Sequence, residues 1–355
     1  MIISIDALDT LFFRDGKPFT MGDDNWAGGF FPPPPGVIYG SLRSAYFANN
    51  IGQLSLANTP DDPTANLEIK GVFVRLGKDS SFREAYFPLP QDCVCKKNNK
   101  KNQDRVYLLS LKELTGVHSS CPLDCALVGD DKVERAEGAY FSASTLSDYL
   151  RNNREFYLAK QIDDYLLLEP KTGIGRQSKT RTSVDGKLYR AGMYRMKDMD
   201  LMVDLSGLDL PESGIMKLGG EGKAAYYTKV NQNEDTLGQI ELDGRRFKLY
   251  LATPAFFVGG WLPHWIDEET FIGNHQGIRV KLISAAIGKP LALGGFDLKS
   301  KSPKTMRRAV PAGSVYYFEI LAGDTQEVLT HFHNKCISDY NPEQGYGLCF
   351  VGGVR

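Results

Sequence analysis

Cysteines and long apolar runs are scarce in this chain of 355 residues, and each scarcity excludes a class of protein. Six cysteines are too few for a disulfide-stapled secreted fold. No apolar run reaches the roughly 18 residues that a transmembrane helix needs. Asp6 and Asp9 interrupt the first apolar run, and no basic residues precede it, unlike in a secretory signal. We therefore expect a cytoplasmic protein that does not associate with membranes.

Histidine is also rare, which bears on catalysis. The chain has five histidines, none of them within residues 1–117. None stands in a sequence context typical of a Ser-His-Asp or Cys-His site, and no pair of acidic residues stands out from ordinary surface composition. The sequence therefore predicts no catalytic residues, and we expect that the protein is not an enzyme.

The net charge of −1 conceals two concentrated basic segments. Residues 171–197 hold eight basic side chains and one acid, and residues 299–308 hold five basic side chains and no acid. Such a chain can bind a polyanion at a chosen surface while its other faces repel it. A solvated loop is the ordinary interpretation of one such run, but two runs flanked by glycines and aromatics favour nucleic acid.

The hydrophobic pattern predicts an α+β fold built from two tandem ferredoxin-like (RRM-like, βαββαβ) domains. We predict six elements for the first copy: strand 2–13, helix 35–50, strands 165–170 and 188–205, helix 211–218 and strand 223–230. We predict six for the second copy: strand 245–257, helix 263–273, strands 278–288 and 314–321, helix 324–336 and strand 345–353. The predicted domains are 1–238, with an insertion at about 52–160 and a protruding hairpin at about 168–190, and 239–355.

The stretch 173–180, GIGRQSKT, imitates a phosphate-binding P-loop, but Ser178 replaces the second glycine. A P-loop opens a helix, whereas the residues that follow here lead to a predicted turn at Asp185-Gly186 and a strand. We therefore reject nucleotide hydrolysis. The basic side chains and small glycines still suit a polyanion, and Ile174 at the expected loop tip is either a wedge between bases or part of a solvated loop.

Two glycine-rich turns offer backbone N–H groups to phosphate oxygens. The turn 219–222 is followed by Lys223, and the turn 345–347 carries Tyr346, which is able to stack on a base. In both cases a plain tight turn is an equally good interpretation. The aromatic segment 259–265 is more typical of core packing or of a protein interface.

Four cysteines of the predicted insertion form two close pairs: Cys93, Cys95, Cys121 and Cys125. Four thiolates are able to hold a tetrahedral zinc ion. The spacing is not that of a standard knuckle, and no histidine completes a common signature. A structural zinc at these cysteines is thus possible but not favoured, and no cofactor is required.

Several stretches together resemble one family: 8–19, 31–44, 170–190, 218–223, 259–265 and 303–319. As an ordered set they are similar to the third subunit of the Cmr complex, the type III-B CRISPR effector, a family in the Cas-five-like group of RAMP proteins. The resemblance spans both halves and leaves out mainly residues 52–160. The resemblance implies a fold of paired ferredoxin-like domains.

The resemblance implies a non-catalytic subunit that holds the 5′ handle of the CRISPR RNA. It also implies contacts with the large polymerase-like Cmr subunit and with a backbone RAMP subunit. The implied RNA contacts are Arg43, Lys171, Thr172, Gly173, Ile174, Gly175, Arg176, Lys179, Thr180, Arg181, Gly219, Gly220, Glu221, Gly222 and Lys223. Arg307 and Arg308, in the second basic segment, are expected to face RNA or a partner subunit. The alternative is a RAMP endoribonuclease that processes precursor CRISPR RNA, although such enzymes generally use a histidine near the first strand or helix.

Overall fold

The computed structural model describes residues 1–14, 26–77, 84–96, 104–116, 122–230, 237–238, 240–297 and 301–354. Within these residues the fold is α+β, rich in strands and with few helices. Among them no helix is both long enough and apolar enough to cross a membrane.

The N-terminal half, up to residue 230, holds most of the strands. Its helices are α1 (Pro35–Asn49) and α2 (Ala143–Arg151), with short 3₁₀ helices at Ile51–Leu56 and Ile162–Asp164. Its strands are β1 (Ile2–Ala7), β2 (Trp26–Ala27), β3 (Glu68–Leu76), β4 (Ala85–Pro88), β5 (Cys93–Lys96), β6 (Arg105–Leu108), β7 (Ser110–Glu113), β8 (Cys125–Val128), β9 (Val133–Arg135), β10 (Ala139–Ser142), β11 (Tyr157–Leu158), β12 (Lys160–Gln161), β13 (Leu166–Arg176), β14 (Ser183–Met196), β15 (Met199–Ser206), β16 (Ser213–Lys217) and β17 (Ala224–Val230).

An eight-stranded sheet organises this half, in the order β12-β10-β4-β3-β15-β1-β17-β16. Strand β1 lies between β15 and β17 and is antiparallel to both, and β3 flanks β15. Helix α1 confirms the predicted helix at 35–50, and its Ile38 and Leu42 pack with Ile3 and Ile5 of β1 in one core. Three strands of this sheet, β3, β4 and β10, come from residues 52–160, and β12 begins at the last residue of that range.

The predicted helix at 211–218 is wrong, because these residues form β16. Met216 is buried at 2% exposure, whereas its neighbour Ile215 is 65% exposed. This alternation with a period of two is a strand pattern, and β16 completes it by pairing with β17. Gly214 weakens the competing helix further. Pairing with a neighbouring strand thus overrides the local sequence signal.

The C-terminal half has a six-stranded sheet in the order β19-β20-β25-β18-β27-β26. Its helices are α3 (Thr325–Phe332) and a 3₁₀ turn at Pro342–Gln344. Its strands are β18 (Arg246–Leu251), β19 (Ile272–His275), β20 (Ile278–Ala286), β21 (Leu291–Leu293), β22 (Phe296–Asp297), β23 (Ser302–Pro303), β24 (Arg307–Ala309), β25 (Val315–Ala322), β26 (Lys335–Cys336) and β27 (Leu348–Gly353).

One of the two helices predicted here is confirmed and the other is wrong. Helix α3 forms within the predicted 324–336, starting from a capping box in which Asp324 and Glu327 satisfy each other's backbone N–H groups. Residues 263–271 are turns. The Asp267 side chain accepts hydrogen bonds from the backbone N–H groups of Glu269 and Thr270, and Phe271 has a φ of 55°, a left-handed conformation that a helix excludes.

Another core joins the two halves, since residues of β4, β10 and α2 pack there against β18, β25 and β27. A polar cluster lies inside it. Fully buried Asp92 accepts hydrogen bonds of 2.6 Å from the hydroxyl groups of Tyr149 and Tyr317. Lys248 is 1% exposed, with its Nζ 3.4 Å from the centroid of the Tyr149 ring. Burial lowers the pKa of Lys248, and the charge of Asp92 opposes that shift.

Candidate nucleic-acid interface

The first basic segment forms a long antiparallel hairpin of β13 and β14, in register from the pair Leu166–Met196 to the pair Ile174–Leu188. A protruding hairpin was predicted, and it is longer than expected at both ends. The chain reverses at residues 177–182, where the backbone N–H of Arg181 donates to the carbonyl of Gln177. Lys179, Thr180 and Arg181 therefore lie at the tip and are exposed.

Two details of the predicted hairpin are wrong. Asp185-Gly186 lies within β14 and does not form the turn. Ile174 lies on β13, paired with Leu188, and not at the tip, although its side chain is 55% exposed. Both errors follow from a break in the pairing between Ile174 and Arg176, which lets β14 begin before the predicted turn residues. The residues after Thr180 lead into β14 and not into a helix, which agrees with the rejection of a P-loop.

The glycine-rich turn after β16 packs against the chain segment that follows β1. The backbone N–H of Gly220 donates to the carbonyl of Phe12 at 2.8 Å, so this N–H group already has a protein partner. Gly219 has a φ of +81°, and a Cβ there would lie 2.5 Å from the Phe12 carbonyl oxygen. This close approach explains the glycine, and the tight-turn interpretation accounts for Gly219 and Gly220 without RNA.

Ion pairs connect the hairpin, the glycine-rich turn and the end of β1. Lys171 Nζ lies 2.9 Å from Glu221 Oε2. Lys223 Nζ lies 2.7 Å from Asp9 Oδ2, and Arg195 binds both Asp9 and Glu169. The structure thus brings the predicted residues Lys171, Glu221 and Lys223 together. It adds Asp9 and Glu169, which sequence analysis missed because isolated acids in a chain with 43 of them carry no signal.

These contacts hold Asp9 in its ionised form. The hydrogen bond from Lys223 and the neighbouring Arg195 lower the pKa of Asp9 from 3.8 to about 2. The ion pairs of Asp9 are therefore complete above pH 3.8 and are lost as the pH falls towards 2. In an NMR titration we expect a midpoint at about 2, rising towards 3.8 in Lys223→Met. A midpoint near 3.8 in the unmodified protein would contradict the ion pair.

Arg43 lies on α1 and is held by the segment that follows it. Its guanidinium donates to Thr64 Oγ1 at 2.7 Å and to Asn58 Oδ1 at 2.9 Å, and it pairs with the largely buried carboxylate of Asp62. Backbone and hydroxyl donors, together with Arg43, lower the pKa of Asp62. The described contacts of Arg43 are therefore structural, and its contact with RNA stays a prediction.

The second basic segment also forms a hairpin, in which β21 pairs with β24 and β22 with β23. Arg307 and Arg308 lie on β24, and both are exposed. The Arg307 guanidinium carbon is 3.9 Å from the centroid of the Tyr340 ring, a cation–π contact. Lys299 lies outside the described residues. The hairpin therefore presents cations, and the choice between RNA and a partner subunit stays open.

Of the four cysteines proposed for zinc, Cys93 and Cys95 lie on β5, whereas Cys125 lies on β8. Cys93 begins β5 and Cys125 begins β8, and both are buried. Burial raises the pKa of the Cys93 and Cys125 thiols, which opposes the thiolate form that zinc needs. Within the part of the chain that the structure describes, no cluster of metal-binding side chains occurs. Cys121 lies outside that part, so the four-cysteine zinc site stays an untested and unfavoured prediction.

Tyr346 does not form a stacking platform. It is 4% exposed, and its ring centroid is 4.7 Å from that of Phe256. Burial raises the pKa of its hydroxyl to about 12.

In the aromatic segment 259–265, Trp265 packs against Phe318 and Phe332, in agreement with the preferred packing interpretation.

Known structures share this fold. Two cryo-EM structures of a type III-B Cmr-beta complex bound to cognate target RNA, one of them also with AMPPnP, each contain a similar chain. In both cases the sequence identity is 17%, the TM-score is 0.53, and the alignment covers 89% of this chain and 86% of the other. At this identity the likeness concerns the fold alone. No curated protein matches the chain in sequence.

The sequence itself matches a family over almost its full length. The model of the CRISPR-associated protein family Cas_Cmr3 covers residues 3–354. This span includes the six stretches that carried the resemblance and also the segment 52–160. The resemblance to the third subunit of the type III-B Cmr effector is thereby confirmed, and the chain belongs to the Cas_Cmr3 family of CRISPR-associated proteins.

Proposed function

We propose that this protein is a non-catalytic RNA-binding subunit of a type III-B effector and that it holds the 5′ handle of the CRISPR RNA. One observation carries the proposal: an exposed basic hairpin is fixed to the glycine-rich turn by the pair between Lys171 and Glu221. The tip cations Arg176, Lys179 and Arg181 extend beyond this anchored base and are exposed to solvent.

The chemistry of such a hairpin suits a single-stranded, irregular RNA. A handle is not a regular helix, so a protein is able to grip its phosphates from several directions and to contact unstacked bases. Arginines and lysines at a hairpin tip supply the phosphate contacts. The ion pairs at the base connect the hairpin to the glycine-rich turn and to Asp9, so that the two basic regions lie side by side.

We further propose that each half is a ferredoxin-like unit. In both sheets the first strand lies between the third and the fourth, and the second flanks the third, with β1, β3, β15 and β17 in one half and β18, β20, β25 and β27 in the other. The first half keeps the first helix of the motif as α1. The second half keeps the second helix as α3.

The proposed partners are the CRISPR RNA, the large polymerase-like Cmr subunit and a backbone RAMP subunit. The family supports this assignment, and the similar chains belong to Cmr-beta complexes bound to cognate target RNA. The absence of histidine from residues 1–117 supports a role without catalysis, because the first strand and the first helix carry no imidazole of their own.

The test is binding of the purified full chain to CRISPR RNA with its natural handle and to the same RNA with a scrambled handle, across a salt series. We expect tighter binding to the natural handle and no cleavage product. Equal affinity for both RNAs would contradict handle recognition by this chain. Specific cleavage without metal would favour the alternative, a processing endoribonuclease.

A further inference from the structure

The two faces of the hairpin differ in chemistry. On the inner face, Ala191 and Met193 pack against Phe12 and Ala27. The outer face carries the side chains that alternate with these. Four large apolar side chains of that face are well exposed: Trp26 at 41%, Leu168 at 54%, Ile174 at 55% and Leu188 at 39%. We call these four residues the outer apolar face.

Trp26 has a defined place on this face. Strand β2 pairs with β14 so that Trp26 lies beside Arg190, and Ala27 beside buried Ala191. Gly192 provides a flat floor: a Cβ there would lie 3.2 Å from Leu168 Cδ1 and 3.3 Å from Trp26 Cζ2. Trp26 and Leu168 therefore both lie close to the backbone of Gly192, and Arg190 is the residue paired with Trp26.

The charges around the outer apolar face indicate which class of ligand it complements. Where the hairpin is in register, its one carboxylate, Glu169, belongs to the inner face and pairs with Arg195. The outer face has exposed Arg190 there, and Arg176 follows towards the tip. Among the described residues of β2 and of the in-register hairpin, the outer face thus carries cations and an aromatic ring without a carboxylate, which complements a ligand with both anions and flat apolar rings. Single-stranded RNA has these two features.

We propose that the outer apolar face binds unpaired nucleobases, with Trp26 as the stacking residue and Arg190 as the neighbouring phosphate contact. This inference rests on the proposed RNA-binding function. It assigns the base contacts to the outer face of the hairpin. Of the RNA contacts expected from the sequence, only Thr172, Ile174 and Arg176 lie on that face. The tip of the hairpin then contacts phosphates, and its stem contacts bases together with the phosphate at Arg190.

The experiment compares the full chain and Trp26→Ala in binding to a short oligouridylate and to an abasic oligomer of the same length. Loss of one stacking contact should weaken oligouridylate binding about 5- to 150-fold. Binding to the abasic oligomer should be unchanged by the substitution, because that probe offers phosphates alone. Val258→Ala, at a position 64% exposed in the other half, is the matched control and should bind like the unmodified protein.

The unmodified protein gives an independent measure that does not depend on how Trp26→Ala folds. It should prefer oligouridylate over the abasic oligomer, and oligouridylate should quench the part of its fluorescence that Trp26→Phe removes. Equal binding of both oligomers, with no such quenching, would overturn the base-binding face while leaving phosphate binding intact.

Failure of the unmodified protein to bind either oligomer would instead contradict the proposed function itself. Loss of complex assembly with intact RNA binding in Trp26→Ala would assign the face to a protein partner and overturn the inference.

Discussion

Replacing Asp92 by Ala should lower the free energy of unfolding by about 3–5 kcal/mol. The substitution leaves the hydroxyl groups of Tyr149 and Tyr317 without the carboxylate that accepts their 2.6 Å hydrogen bonds. It also removes a negative charge that favours the protonated form of Lys248, which is buried and whose Nζ has no hydrogen-bond acceptor among the described residues. Both losses occur in the core that joins the two halves, where water is unable to compensate.

The role of charge in this cluster is separable from packing. Lys248→Met keeps most of the side-chain volume and removes the ammonium group. We expect Asp92→Ala/Lys248→Met to be more stable than the sum of the single variants by about 0.5–3 kcal/mol, because no unpaired cation then remains buried. Urea unfolding followed by far-UV circular dichroism measures all four proteins.

Additive effects, within about 0.5 kcal/mol, would contradict an interaction between Asp92 and Lys248. Ser110→Ala is a suitable control, since this position is exposed on β7 and no cluster residue contacts it through a described hydrogen bond. It should unfold like the unmodified chain.

The variant Lys171→Ala/Arg176→Ala/Lys179→Ala/Arg181→Ala should bind CRISPR RNA more weakly and with a flatter salt dependence. Each lost phosphate contact should lower the log–log salt slope by roughly 0.7. Arg176, Lys179 and Arg181 should account for most of the change, because Lys171 already pairs with Glu221.

Net charge alone also changes RNA binding, so a charge-matched control is needed. Lys70, Lys132, Lys289 and Lys335 are exposed and lie outside the hairpin. Changing these four lysines to Ala removes the same charge and should leave the salt slope nearly unchanged. Equal slopes for the hairpin variant, the control variant and the unmodified protein would place the RNA elsewhere on the chain.

The sequence predicted the elements whose patterns are local. Helix α1 begins with Pro35 and has an apolar face, and α3 begins at a capping box. The basic hairpin was predicted from a loop between two strand patterns and from the dipeptide Asp185-Gly186, although that dipeptide lies within β14. The segments 211–218 and 263–273 were mistaken for helices, because their structure is set by strand pairing with β17 and β20 and by the left-handed Phe271, which are tertiary constraints.

The candidate site was predictable in its cations and not in its anions or its aromatic ring. Clustered lysines and arginines stand out in a chain of net charge −1. Asp9 and Glu169 are separated by 160 residues and meet only at Arg195. Trp26 is placed by two residues of strand pairing with β14, too short a pattern to detect in a sequence. Lys248 gave no signal either, because burial of a lysine depends entirely on what packs around it.

Lysine footprinting of the full chain with and without CRISPR RNA tests the central claim most directly. It compares the acetylation rates of Lys171 and Lys179 on the hairpin with those of Lys132 and Lys289, all of which are exposed in the free protein. We predict strong protection of Lys179 and clear protection of Lys171, with unchanged rates at the other two. Protection confined to lysines outside the hairpin, with Lys171 and Lys179 reacting as in the free protein, would contradict the account.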